Sequence, residues 1–308
     1  MKGAQPLQLW SATPTPLTPQ LQVDVPSVER MVEAAVAEGM DGLFLAGTCG
    51  EGQWLQNRER IKLIKTAAAV AQRRVRLAVQ VSDNSVPRIL DNIADAAAAG
   101  ADFAIIASPA MMLNATPARI TALFEGAANA SPLPVGIYDL GTKRNFSIPL
   151  ESLKQIYLLP NVQLVKDSSA DPERREIALA AKRVKPGLML LSGDEFHCID
   201  YLMAGYDGAM FGGAVAVAPL LRRILRSFQD GQLAEAIKLD ADMRAILYGL
   251  YGGESIECWL TGLKQFLVYR GMFSTAASFL EYPLTESCRT FIKQHAASLP
   301  PLASAVKP

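Results

Sequence analysis

Short apolar runs alternate with amphipathic stretches along this chain, and one junction between them recurs. Glu38-Gly-Met-Asp-Gly-Leu-Phe-Leu45, Ala99-Gly-Ala-Asp-Phe-Ala-Ile-Ile106 and Ala204-Gly-Tyr-Asp-Gly-Ala-Met-Phe211 each follow an alanine-rich or amphipathic segment. The first glycine suits the left-handed position that ends a helix. The apolar run behind it is too short for a helix and suits a strand covered on both faces. Helix, Gly-x-Asp turn and buried strand in repetition predict βα units.

The same pattern predicts strands near Leu7–Thr13, Gly42–Ala46, Val75–Val81, Phe103–Ala107, Val135–Tyr138, Val162–Lys166, Leu188–Leu191 and Gly208–Phe211. Helices are expected between them, among them Arg58–Arg73, Val86–Ala99, Pro117–Ala130 and Pro172–Val184. Eight such units closing on themselves make an α/β fold of the (β/α)8, or TIM, barrel type. A doubly wound open sheet is the alternative. The chain stays helical afterwards, with candidates at Gln232–Tyr248, Ser255–Arg270 and Thr285–Ala297. The expected organisation is a catalytic barrel over residues 1–230 and a helical extension, packed on it, over 231–308.

Composition narrows the chemistry. With 308 residues, half of them hydrophobic, the chain can bury one large core. Thirty basic and thirty acidic side chains cancel, which leaves no electrostatic footprint for nucleic acid or an anionic membrane. No apolar run is long enough to span a bilayer, and none before the first strand suits a secretory leader. Cys49, Cys198, Cys258 and Cys288 are widely spaced, as expected of a cytoplasmic protein with reduced thiols. His197 and His295 are the only histidines, so a histidine-clustered metal site is not expected.

Candidate chemistry collects where strands end, since barrel enzymes place their catalytic groups at the C-terminal strand ends. Lys166 closes the run Asn161-Val-Gln-Leu-Val-Lys166 and precedes the polar turn Asp167-Ser-Ser-Ala-Asp171. An amine in apolar surroundings loses proton affinity, and a neutral amine attacks a carbonyl to give a Schiff base. A strand-end lysine can also simply snorkel to water. Tyr138 ends the fifth strand and would face the same mouth, where a phenol can shuttle protons. The second strand runs into Gly47-Thr48-Cys49-Gly50-Glu51-Gly52, whose amides and Thr48 hydroxyl can hold a carboxylate or phosphate. The turn has neither dinucleotide nor P-loop spacing. Lys143 and Arg144 are candidates for an acid group of the substrate. Met210 is a candidate substrate-binding residue, and Met111, Met112 and Phe211 are candidates for a less polar wall, or for core. Ser192-Gly193-Asp194-Glu195 ends the seventh strand; its carboxylates can orient substrate hydroxyls, and Asp194 is expected to cap a helix starting near Phe196.

Taken together, Gly-Thr-x-Gly-Glu after the second strand, Tyr138, Lys166 and Gly193-Asp194 give the chain its resemblance to a known family. It resembles the dihydrodipicolinate synthase and N-acetylneuraminate lyase family of Schiff-base pyruvate aldolases, from about Trp10 to Pro219 and loosely beyond. The resemblance implies that Lys166 forms an imine with pyruvate or another 2-oxo acid, and that Tyr138 moves protons. It implies that Gly47, Thr48 and Cys49 hold the carboxylate, that no cofactor or metal is needed, and that the chain forms a dimer or tetramer. Departures cluster on the side of the second substrate. Cys49 stands where the family usually has threonine, and Ser108-Pro109-Ala110-Met111-Met112 where the synthases have Pro-Tyr-Tyr. Lys143 replaces an arginine, and Tyr138-Asp-Leu-Gly141 replaces Tyr-Asn-x-Pro. The expected activity is a carbon–carbon lyase acting on a 2-oxo acid, including 2-keto-3-deoxy sugar acids or bulkier aldehydes. The alternatives are dihydrodipicolinate synthase proper, a non-catalytic 2-oxo-acid-binding relative, and a phosphate-binding barrel using Gly212-Gly213.

Overall fold

The computed structural model describes residues 6–142 and 146–299. Eight strands form one closed parallel barrel in sequence order, as the alternating pattern predicts: β1 (Gln8–Ser11), β2 (Gly42–Leu45), β3 (Arg76–Gln80), β4 (Phe103–Ala107), β5 (Val135–Asp139), β6 (Val162–Asp167), β7 (Met189–Ser192) and β8 (Gly208–Phe211). Helices alternate with them: α1 (Val25–Ala37), α2 (Asn57–Ala71), α3 (Val86–Ala99), α4 (Pro117–Ala130), α5 (Leu150–Ile156), α6 (Pro172–Val184), α7 (Cys198–Ala204) and α8 (Ala214–Gln229). Three more follow: α9 (Leu233–Tyr251), α10 (Trp259–Tyr269) and α11 (Glu286–Ser298). The open-sheet alternative is excluded by closure.

The recurrent Gly-x-Asp junction has one geometry in all three copies. Asp41, Asp102 and Asp207 each accept a hydrogen bond on Oδ2 from the backbone N–H of the second residue of the preceding strand. The donors are Leu9, Leu77 and Leu190, at 2.7, 2.8 and 2.7 Å. Each aspartate's own N–H donates to the carbonyl of that same leucine. The carboxylate thus completes the ladder where the strand pair begins. Gly100 and Gly205, at φ 103° and 104°, end α3 and α7 in the left-handed region that only glycine adopts cheaply. At two helix starts the cap is also written in the sequence. Thr116 and Asp171 accept from the N–H of Arg119 and Glu173 ahead of Pro117 and Pro172.

Contacts within the chain group into two compact units. One comprises Leu77–Phe211 with the segment before Leu9, and carries β3 to β8. The other comprises Leu9–Arg76 and the chain after Phe211. In the second unit α9 packs along α8, while α10 and α11 pack on α9 and on each other. Its centre holds a fully buried ion pair between Lys264 of α10 and Glu51, in the turn after β2. The other Glu51 oxygen accepts from Ser278 Oγ at 2.8 Å and Phe279 N at 2.6 Å, and Lys264 also donates to Ala277 O at 2.7 Å. Two buried charges are tolerable only when their remaining hydrogen-bonding capacity is met, as it is here.

All four cysteines are buried thiols. Among the described residues no helix is long and apolar enough to cross a membrane, and no acidic, histidine and cysteine cluster suits a metal ion.

Removing one partner of the Glu51–Lys264 pair strands a buried charge, which costs about 3–5 kcal/mol. Lys264→Ala is expected to lower unfolding free energy by that amount in urea titration. A loss below about 1 kcal/mol would show that the pair does not hold this unit together.

Candidate active site

The closing residues of β5 and β6 lie side by side. Tyr138 pairs with Lys166 and Asp139 with Asp167 in the ladder. Successive residues of a strand point to opposite faces, so Tyr138 and Lys166 share one face and the two aspartates the other. Lys166 is 4 % exposed and Tyr138 5 %. Their side chains meet, with Lys166 Nζ 4.1 Å from the centre of the Tyr138 ring. An ammonium is attracted to that ring face.

The outward carboxylates are anchored. Asp139 accepts from Arg174 Nη1 at 2.8 and 3.1 Å, from the Gly141 N–H at 2.9 Å and from the Tyr157 hydroxyl at 3.2 Å. Arg174 rises from the first turn of α6 and reaches on to Ser147 Oγ and Ile148 O at 2.5 and 2.6 Å. Asp167 accepts from the Ser169 N–H and hydroxyl at 2.9 and 2.7 Å, and from the Tyr206 hydroxyl at 2.6 Å. Burial raises the Asp167 carboxyl above its ordinary range despite these donors. Burial also pushes the Tyr157 and Tyr206 phenols upward, reinforced by the neighbouring carboxylates, so both keep their protons and donate.

The next strand completes the surroundings of Lys166. Gly193 donates its N–H to Asp167 O at 2.6 Å. A Cβ at Gly193 would lie 2.0 Å from Ser168 Oγ and 2.8 Å from Lys166 Cε, so only glycine leaves the lysine its path. Asp194 is not the helix cap that the sequence suggests. Helix α7 begins at Cys198, and Asp194 instead accepts from Phe196 N at 3.2 Å and contacts His197 Nδ1 at 3.0 Å. The carboxylate therefore shapes the turn before the helix, because Phe196 and His197 are not yet helical. Glu195 is buried beside it.

Continuing the register from Lys166 through Leu191 to Gly208 puts Met210 on the same face as the lysine. Phe211 takes the opposite face with Asp167, Ser192 and Ala209, and Met111 is 61 % exposed. Met210, the substrate-binding candidate, therefore lies on the inner face of these strands. Lys143 and Arg144 lie outside the described residues.

In the other unit, the turn after β2 is held by its own backbone. Glu51 N donates to Thr48 O and Gly52 N to Gly47 O, both at 3.2 Å, while Thr15 Oγ1 donates to Gly50 O at 2.5 Å. A Cβ at Gly52 would lie 1.9 Å from Ala46 O, so Gly52 serves close packing of the turn rather than approach to a ligand. Thr48 is half-buried, and Gly47 and Cys49 are buried. The Asp139–Arg174 and Asp167–Tyr206 contacts escape sequence reading, since partners distant in sequence carry no common period. The one signal available is an aspartate directly after Tyr138 and directly after Lys166.

Gly193→Ala is expected to displace the Lys166 side chain and lower turnover by at least about 10²-fold, the cost of misplacing a reacting group by an ångström. Steady-state kinetics beside a thermal melt checks this. A fully active variant would show that Lys166 has other room.

The pattern of the Dihydrodipicolinate synthetase family matches residues 5–290 of the chain. The 4-hydroxy-tetrahydrodipicolinate synthase 2 of Halalkalibacterium halodurans is 25 % identical over 254 residues, covering 82 % of this chain and 86 % of that one. The 4-hydroxy-tetrahydrodipicolinate synthase of Xanthomonas axonopodis pv. citri is 28 % identical over 231 residues, 75 % and 76 % of the two chains. The fold superposes on YagE, a prophage protein of E. coli K12 in the dihydrodipicolinic acid synthase family solved in complex with pyruvate. That match has a TM-score of 0.85 and 21 % identity, and covers 96 % of this chain and 98 % of that one. The dihydrodipicolinate synthase of Bacteroides thetaiotaomicron gives 0.84 with 24 % identity over 96 % and 99 %. The chain belongs to the Dihydrodipicolinate synthetase family and is a carbon–carbon lyase of the Schiff-base type.

Proposed function

We propose that Lys166 forms the imine with pyruvate or another 2-oxo acid, and that Tyr138 carries protons during its formation and turnover. The observation that carries this reading is the buried contact of Lys166 Nζ with the Tyr138 ring, 4.1 Å from its centre. The neutral amine adds to the ketone carbon, and water leaves as the protonated imine forms. That cation accepts the electron pair released when a bond to the adjacent carbon breaks. In cleavage the broken bond joins that carbon to the carbon bearing a hydroxyl, whose proton is taken up as the aldehyde departs. Protonation of the enamine and hydrolysis of the imine return the lysine. Condensation is the same path reversed. The chemistry needs no cofactor beyond the lysine.

Gly47, Thr48 and Cys49 are taken as the group that holds the 2-oxo acid's carboxylate, Lys143 and Arg144 as binders of a further acid group, and Met210 as part of the pocket wall. The favoured overall reaction makes or cleaves a carbon–carbon bond of a 2-keto-3-deoxy type acid. Support comes from Cys49, Lys143 and the absence of a phenol in Ser108-Pro109-Ala110-Met111-Met112. The second reading is 4-hydroxy-tetrahydrodipicolinate synthase proper, favoured by the names of the curated relatives. A homo-oligomer, dimer or tetramer, working in the cytoplasm is part of the proposal, and the four buried thiols fit a reducing compartment.

Lys166→Ala is expected to abolish pyruvate release from such acids while the thermal melt stays cooperative. Retained turnover would remove the reading. Tyr138→Phe should slow turnover by about 10²–10⁴-fold, the range for a positioned acid–base group. An unchanged rate would make the phenol a packing residue.

A further inference from the structure

The turn after β2 has a backbone that does not hold itself. Ala46 and Glu51 both stand in the left-handed region, at φ 54° and 55°. A residue with a side chain keeps that conformation only where its surroundings over-determine it. Across the turn the backbone supplies two long bonds, from Glu51 N to Thr48 O and from Gly52 N to Gly47 O, each 3.2 Å. The hold on the Glu51 side chain comes from the chain beyond the barrel.

Glu51 Oε1 meets Lys264 Nζ of α10, while Oε2 accepts from Ser278 Oγ at 2.8 Å and Phe279 N at 2.6 Å. Lys264 also donates to Ala277 O at 2.7 Å, so one ammonium joins the turn to the segment behind α10. That segment is itself anchored: Thr275 Oγ1 accepts from Ala277 N at 3.1 Å and donates to Leu17 O at 2.7 Å. Neither charged side chain has any exposed surface. A buried ion pair is a poor source of stability, since apolar side chains of similar volume often hold as well or better. What charge-assisted hydrogen bonds add, and apolar contact does not, is direction. Both Glu51 oxygens are fixed, and Cys49 and Thr48 stand two and three residues before it in the same turn.

We propose that Lys264, acting through Glu51, is a positioning residue for the substrate's carboxylate, so that α10 and the segment behind it are a working part of the 2-oxo acid site. This rests on the reading that Gly47, Thr48 and Cys49 hold that carboxylate. Donors fixed in place beforehand bind an anion more tightly than donors the anion must itself order. Freed from Lys264, the strained turn relaxes, and the ordering has to be supplied by the substrate. The loss falls on the carboxylate and not on the ketone, which meets a different group.

The test titrates pyruvate, and separately methyl pyruvate, into wild type, Lys264→Met and the double variant Glu51→Gln/Lys264→Met. Borohydride-reduced adduct is counted by intact mass, at a temperature where the melts show the proteins folded. Lys264→Met strands a buried carboxylate and lowers the thermal midpoint; the double variant removes both charges, so it stays testable if the single one does not fold. Wild type is expected to half-saturate at a lower concentration of the acid than of its ester. In the variants the half-saturating pyruvate concentration should rise by about 10-fold, the scale of a small misplacement within a site. The value for methyl pyruvate, which has the same ketone and no carboxylate, should stay level, and the adduct yield at saturation should be unchanged. A folded double variant with wild-type affinity for pyruvate overturns the inference. So does an equal loss for acid and ester, which is what general loosening of the fold would give. A wild type that takes up acid and ester alike overturns the carboxylate reading itself, a result obtained without any variant of Lys264.

Discussion

Alternation along a strand lets only every second side chain enter a barrel, and the ends of β5 and β6 use both faces at once. Inward stand Tyr138 and Lys166, in contact across one ladder step. Outward stand Asp139 and Asp167, tied to Arg174 and to Tyr206 and Ser169. The outward bonds fix the backbone from which the inward groups hang. A lysine has four rotatable bonds, and a flexible amine loses rate through misplacement. Here the Tyr138 ring lies against it, and the missing side chain at Gly193 leaves it room. Support on the outer face and the Tyr138 ring on the inner face therefore favour one orientation for the Lys166 nitrogen.

The buried charges follow a common rule. Asp139 with Arg174, and Glu51 with Lys264, are each removed from water yet surrounded by additional donors and acceptors. Such pairs add little net stability compared with apolar packing, but a wrong alternative that leaves one charge alone is strongly penalised. Both sit in or beside loops that follow strands at their C-terminal ends, the region that varies most among barrels and carries function. The pairs give those loops one conformation.

Much of the fold could be read from the chain because its local signals agree with one another. The Gly-x-Asp junctions marked the starts of β2, β4 and β8, and each aspartate completes the ladder of the strand before it. Lys166 and Tyr138 could be singled out because a polar group closing an apolar run is conspicuous. Of the residues read as pocket wall or core, Phe211 is core on the outer face of β8 and Met111 is exposed in a loop, because hydrophobicity alone does not tell the two faces of a strand covered on both sides apart. Asp194 resembled a helix cap because the helix was expected to start near Phe196, while it begins at Cys198 and the chain uses the residues before it in a turn. The arginine and tyrosine partners of the aspartates come from helices and loops far away in sequence, where no period points to them.

The claim at the centre of this account is that one particular amine is the nucleophile. Reduction with borohydride in the presence of pyruvate, followed by proteolysis and mass mapping of the modified peptide, addresses it directly. The account predicts a single reduced adduct on Lys166 and none on Lys264, whose amine is engaged with Glu51. An adduct on any other lysine, with Lys166 unmodified, would contradict it.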